Sequence, residues 1–255
     1  MVGDVVGSAA TEQLACRLPE LRREHGADLV VVNAENSAPS GLGPSERSIE
    51  ALLDAGADVV TGGNHSWDSD TAVRALEHPR VLRPLNLAEG VPGHGTVTVE
   101  AAGEQVTVVN LADSCAMKSA RGVAHKFLPA FPCWLALRPN GVVLVDYHGE
   151  HVLEKQIFAH AVDGKAAAVV GTHTHEPTEP LRILPGGTAL VTDLGMTGPT
   201  GGAQGFDASH FVHALTVHGN AFHPPLPPVV QGPVALGAVV LDVVDGRTRR
   251  IQRVR

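Results

Sequence analysis

The chain repeatedly passes from a short apolar segment straight into side chains that bind metals or protons. Residues 29–32 give way to Asn33-Ala34-Glu35-Asn36, and residues 58–61 to Gly62-Gly63-Asn64-His65. Residues 142–145 give way to Asp146-Tyr147-His148, and residues 166–170 to Gly171-Thr172-His173-Thr174-His175. Short valine- and alanine-rich runs bounded in this way read as buried strands. In α/β sheets the carboxyl ends of such strands are where ligands are held. Gly171 is expected to end its strand. His173 and His175 stand at i and i+2, which in an extended segment project to one side. Two such imidazoles can each reach a different metal ion, or both reach one.

Helical spacing fills the gaps between these runs. Leu14, Leu18 and Leu21 mark a helix over 11–24, and residues 45–55 form another, with Ser45 as N-cap and Gly56 as C-cap. A third helix is expected over 154–162. The second half adds antiparallel pairs. Strands at 96–100 and 105–110 turn at Ala102-Gly103, those at 181–184 and 188–191 turn over residues 185–187, and those at 235–243 and 248–254 turn at Asp245-Gly246. Residues 112–126 read as irregular, and Pro129 and Pro132 interrupt any helix over 126–138. The pattern implies a two-sheet core with helices outside. No linker divides the chain, so residues 1–255 are expected to form one domain.

The first residues, Met1-Val2-Gly3-Asp4-Val5-Val6-Gly7, read as the end of a very short strand with Asp4 at its tip. Asp68 is expected to cap the helix after it. The turn Asp193-Leu194-Gly195-Met196-Thr197-Gly198-Pro199 is expected to face a site. His210 and His213, after an Asp207 cap, lack a third ligand at matching spacing and read as a solvated face, as do His218 and His223.

Composition removes several function classes. A net charge of −8 disfavours a nucleic-acid polymer as partner, and 4% aromatic residues give little stacking surface for single strands. Cys16, Cys115 and Cys133 lack the C-x-x-C spacing of a thiolate zinc site and the even count of a disulfide framework, which suits a reducing, cytoplasmic setting. No apolar run approaches the length needed to span a bilayer, so no membrane partner is expected. A Gly-x-Gly-x-x-Gly fingerprint is missing around Gly3 and Gly7, and Gly164-Lys165 runs into Ala166 where a Walker loop needs Ser or Thr. What remains at the strand ends is a set of oxygen and imidazole donors. Such donors suit manganese or iron, with zinc a further candidate. Two ions so held can stabilise both oxygens of a phosphoryl displacement and make a bridging water nucleophilic at neutral pH. His65 is placed to protonate the leaving alkoxide.

These segments resemble the calcineurin-like metallophosphoesterases, specifically the bacterial branch typified by 2′,3′-cyclic-nucleotide phosphodiesterases. The segments that match run in family order: Gly3-Asp4-Val5-Val6-Gly7, Asn33-Ala34-Glu35-Asn36, Gly63-Asn64-His65-Ser66-Trp67-Asp68, Arg83-Pro84-Leu85-Asn86, Asp146-Tyr147-His148-Gly149-Glu150, Gly171-Thr172-His173-Thr174-His175 and Asp193 to Pro199. The resemblance implies a four-layer α/β/β/α sandwich of two mixed sheets flanked by helices, with two divalent or mixed-valence metal ions, usually iron or manganese. By matching position, Asp4, Glu35, Asn36 and His175 would take one ion. Glu35 as a bridge, with Asn64, His148 and His173, would take the other, and His65 matches the general acid. The resemblance also points toward a homo-oligomer.

One stretch departs from the family. Relatives carry a Gly-Arg pair and a Pro-Asp-x-Pro-Phe-type run after the position of Asn110-Leu111, where this chain reads Ala112-Asp113-Ser114-Cys115-Ala116-Met117-Lys118-Ser119. The expected substrate is therefore a small, nucleotide-like phosphate ester. It is either a 2′,3′-cyclic nucleotide or a phosphomonoester of a nucleoside intermediate in specialised biosynthesis. Lys118, Arg121 or Lys126 would meet its phosphate or a carboxylate. A competing expectation is a non-catalytic regulatory or scaffold protein that keeps its metals for folding.

Overall fold

The computed structural model describes residues 1–254. Its elements run α1 (Gly7–His25), β1 (Val31–Asn33), α2 (Glu46–Asp54), β2 (Val59–Thr61), α3 (Asp70–Ala75), β3 (Thr96–Ala101), β4 (Glu104–Ala112), α4 (Ser114–Met117), α5 (Ala130–Ala136) and β5 (Val142–His148). They continue as α6 (Val152–Ala161), β6 (Ala168–Thr172), β7 (Arg182–Ile183), β8 (Ala189–Val191), β9 (Gly198–Pro199), α7 (Ala208–His218), β10 (Val234–Ala235), β11 (Val239–Val244) and β12 (Arg247–Arg253).

One mixed sheet has the order β3-β4-β5-β6-β8-β7, parallel from β4 to β8 and antiparallel at both edges. The second layer is assembled from short pieces: the parallel pair β1–β2 and the antiparallel pair β11–β12, joined through Val2. Val2 bridges Val32 in parallel on one side and Ala238 in antiparallel on the other. The brief first strand expected from the sequence is thus a central one, and Val2, Val5 and Val6 are buried.

Strand periodicity sorts the side chains between layers. Along β5, Val143, Val145 and Tyr147 pack toward α5 and α6 with Trp134 and Phe158, whereas Val142 and Leu144 face the other sheet. On β1, Val32 packs with Leu14, Leu18, Ile49 and Leu52 of α1 and α2, while Val31 faces inward with Val59 and Val108. The outcome is helix, short sheet, six-stranded sheet, helix, in agreement with the four-layer expectation.

Local details correct several expectations. Helix α1 begins at Gly7 rather than residue 11, and carries Pro19 on its solvent side. Ser45 caps α2 through a reciprocal pair with Ser48, but the C-cap is Ala55, with Gly56 one residue beyond at φ 105°. Residues 112–126 hold α4 and a 3-10 turn, Ala124–Lys126. Pro132 sits in the first turn of α5, where a missing N–H costs little. Gly171 does not end its strand but lies within β6, and the position takes glycine because a Cβ there would stand 2.0 Å from the Thr192 carbonyl oxygen. The three expected hairpins form.

A buried lysine locks the ends of β6 and β8. Lys155 Nζ donates to the Thr172 and Thr192 carbonyls at 2.8 Å each and lies 3.4 Å from Asp193 Oδ2. Asp193 in turn accepts from Thr174 N and Oγ1, which fixes the loop that follows β6. Breaking one partner of a buried pair costs about 3–5 kcal/mol. Lys155→Met is expected to lose roughly that much in urea unfolding, with the helix content of the folded state retained by circular dichroism.

Candidate metal centre

Inner-face alternation places Asn33, Thr61, Asp146 and Thr172 between the sheets, one step below the strand ends. The Asp146 carboxylate accepts from Thr61 Oγ1, from Asn33 Nδ2 at 2.9 Å and from Thr172 Oγ1 at 2.7 Å. Burial pushes this carboxyl up to about 6, against the pull of those three hydrogen bonds. Asn33 Oδ1 accepts the Glu35 N–H at 2.9 Å, and Thr172 Oγ1 lies 3.0 Å from His148 Nδ1. The same polar cluster therefore orients a carboxylate from one sheet and an imidazole from the other.

Above it the expected donors converge. His148 Nε2 lies 2.9 Å from Asn64 Oδ1, 3.5 Å from Glu35 Oε1 and 3.1 Å from His173 Nδ1. His175 Nε2 lies 3.3 Å from Asn36 Oδ1 and 3.9 Å from Asp4 Oδ1, and Asp4 Oδ1 is 3.8 Å from His148 Nδ1. The route by which His173 and His175 arrive differs from the one expected. They do not alternate along an extended strand. They occupy left-handed backbone at φ 97° and 65°, which turns His173 toward His148 and His175 toward Asn36.

The second ring of contacts settles which atoms face inward. The Thr172 hydroxyl gives its one proton to Asp146, so it can only accept from His148 Nδ1, leaving the Nε2 lone pair inward. Ser119 Oγ donates to the Ala116 carbonyl and accepts from Asn64 Nδ2 at 3.0 Å, so the Asn64 oxygen faces the imidazole. Asn36 Nδ2 donates to the Gly41 carbonyl at 2.7 Å, so its oxygen also points in. Asp4 Oδ1 and Glu35 Oε2 are buried with no hydrogen-bond partner.

The electrostatics are those of acceptors crowded together out of water. Burial raises the Asp4 carboxyl and pushes Glu35 up to about 8. Burial holds His148 well below the usual imidazole range and brings His173 down to about 4, so both imidazoles are neutral at pH 7. Among the described residues no three His, Cys, Asp or Glu side chains form a ready metal cage on their own, and the converging set counts two amides besides. Orphaned carboxylate oxygens, inward amide oxygens and neutral imidazoles are nevertheless the donors a hard or borderline divalent cation takes. The residues present fit such a group.

His65 stands beside this cluster. Its backbone N–H donates to Glu35 Oε1 at 2.5 Å and its Nδ1 lies 2.6 Å from Asp68 Oδ2. Burial opposes its charge, but the Asp68 hydrogen bond and the Glu35 carboxylate prevail, and its pKa is raised. Contrary to the sequence expectation, Asp68 does not cap α3; Ser69 does, accepting the Ala72 N–H. The spacing of three residues from His65 was the signal that Asp68 belongs with the imidazole. The turn from Asp193 reaches the cluster through its Thr174 contacts, and Thr197 N donates to the Asp4 carbonyl.

A cleft of about 330 Å³ opens over Glu35, Asn36, Asn64, His65, His173 and His175. Ser119, from the divergent loop, lines it, while Lys118, Arg121 and Lys126 do not. Lys118 is exposed, Lys126 is half-buried and Arg121 donates to the Asp68 carbonyl at 2.7 Å. His210, exposed on α7, lies 3.5 Å from Asp207. No helix among the described residues is long and apolar enough to cross a membrane.

Gly63 is required by the ring it touches, since a Cβ there would lie 2.2 Å from His148. Gly63→Ala is expected to displace that imidazole and to cost about 1–3 kcal/mol, as overpacking does. Thermal unfolding together with a crystal structure of the variant checks both.

A family model described as YmdB-like protein matches residues 1–254. A 2′,3′-cyclic-nucleotide 2′-phosphodiesterase of Bacillus subtilis (strain 168) is 34% identical over 256 residues, covering 98% of this chain and 93% of that protein. Among solved structures, a hypothetical protein from Thermus thermophilus superposes with a TM-score of 0.88 at 35% identity, over 98% of this chain and 95% of that one. A novel phosphatase from Mycoplasma pneumoniae superposes with a TM-score of 0.86 at 30% identity, over 98% and 90%.

Proposed function

This chain belongs to the YmdB-like protein family, and from that premise we propose that it hydrolyses a phosphate ester of a small, nucleotide-like molecule with the help of two metal ions. The observation that carries this reading is the convergence of buried, partnerless carboxylate oxygens with amide and imidazole lone pairs at the floor of an open cleft. Asp4, Glu35, Asn36 and His175 would hold one ion, and Glu35, Asn64, His148 and His173 the other. When bound, such a pair supplies Lewis acidity that draws in the phosphate and makes an attacking water acidic enough to react at neutral pH. The all-oxygen and nitrogen donor set suits manganese or iron, with zinc next.

The chain's own contribution to bond cleavage is a proton. Asp68 engages His65 Nδ1, which leaves Nε2 as the edge free to protonate the departing alkoxide. The raised pKa keeps that imidazole charged closer to neutrality than a free histidine would be. The Glu35 contact to the His65 N–H ties the acid to the metal-binding floor, so both sit at a fixed separation from one substrate.

Three experiments test the reading. Protein loaded with manganese or iron is expected to turn over 2′,3′-cyclic AMP or nucleoside 5′-monophosphates; turnover of neither with both ions bound rejects it. His65→Ala is expected to lower kcat by about a hundred- to ten-thousand-fold while metal content by elemental analysis stays unchanged. Glu35→Gln is expected to bind less metal. The scaffold alternative predicts instead that His65→Ala leaves function in cells unchanged.

A further inference from the structure

The cleft's walls are unlike its floor. Leu42, Phe206, Phe211, Phe222, Leu226 and Pro227 supply them, and no Lys or Arg is among the lining residues. Phe206 is braced from behind, since a Cβ at Gly41 would stand 2.7 Å from its ring. Phe222 is different. It follows an Asn220 turn, packs edge-to-face on Phe211 with centroids 6.0 Å apart, and still leaves 74% of its surface to water. Leu226 beside it is half exposed. Surface of this kind at the mouth of a polar site is the kind a ligand covers.

Resting on the hydrolase reading above, we propose that this wall selects the substrate. It takes an ester that carries a single phosphate group on a flat aromatic ring system such as a nucleobase, with Phe206 and Phe222 as specificity-determining residues. Aromatic rings receive any base because every base has a π-face. A second or third phosphate would find no side-chain cation along the wall.

The test compares metal-loaded wild type on 2′,3′-cyclic AMP and on base-free ribose 2′,3′-cyclic phosphate, with AMP and ribose 5-phosphate as the monoester pair. The base is expected to raise kcat/KM by roughly tenfold or more. In Phe222→Ser that ratio is expected to fall toward one through KM, and Phe222→Tyr to restore it. In a measurement free of metal and phosphate, adenosine binding seen by saturation-transfer NMR is expected in wild type and lost in Phe222→Ser. Equal turnover with and without the base, or a ratio that survives both Phe222→Ser and Phe206→Leu, overturns the proposal and leaves the hydrolase reading standing. Turnover of no ester, with ions bound, overturns both.

Discussion

A single carboxylate buried between the sheets holds the architecture and the site in one piece. Asp146 on β5 receives hydrogen bonds from Asn33 on β1, Thr61 on β2 and Thr172 on β6, so both sheets are tied at the level just under the converging donors. A buried charge without partners would be far costlier than any packing gain, and three donors make it tolerable. The same donors have second tasks. Asn33 positions the backbone of Glu35, and Thr172 selects the tautomer of His148. A change at Asp146 is therefore felt on both sides of the centre without touching it.

Rigidity above this clamp comes from making each inward atom the only one available. The two asparagines have N–H groups engaged by the Gly41 carbonyl and Ser119. His148 rests against Gly63, where no larger residue fits, and His173 and His175 accept left-handed backbone that costs about 1–3 kcal/mol each in typical cases. Two partnerless buried carboxylate oxygens, Asp4 Oδ1 and Glu35 Oε2, lie in the same small region as these two left-handed histidines. That distribution is what a protein built to receive cations shows, since binding to the folded state offsets the cost of holding acceptors together.

Much of this was legible from the residues alone. Valine-rich runs ending in Asp, Asn, Glu and His marked four strand ends, and glycine-containing turns marked three hairpins, because both depend on local periodicity. The clamp was legible in principle: Asp146 and Thr172 share inward parity with Leu144 and Val170, and only the pairing partner was missing. Asp68 was misassigned because an acidic residue ahead of a helix is also a good cap, and Ser69 competes for that place. The wall was not readable. Phe222 and Leu226 sit in a proline-rich stretch with no period, and what brings them over Glu35 and His65 is packing across long sequence separation. Of the basic residues near the divergent loop none lines the cleft, and at Lys118 the turn after α4 brings the neighbouring Ser119 inward and leaves the lysine in solvent.

The way Val2 is held has a consequence for synthesis. It is flanked by Val32 and by Ala238, and Asp4 receives the N–H of His173 across 169 residues. A nascent chain leaving the ribosome can pair its first segment with β1 early, yet the other flank stays open until β11 has been made. Closing such distant ends carries an entropic cost that nearby pairings avoid, so the centre is completed late. Until β11 is in place the half-built layer keeps an unpaired strand edge, the kind of surface on which another chain can pair.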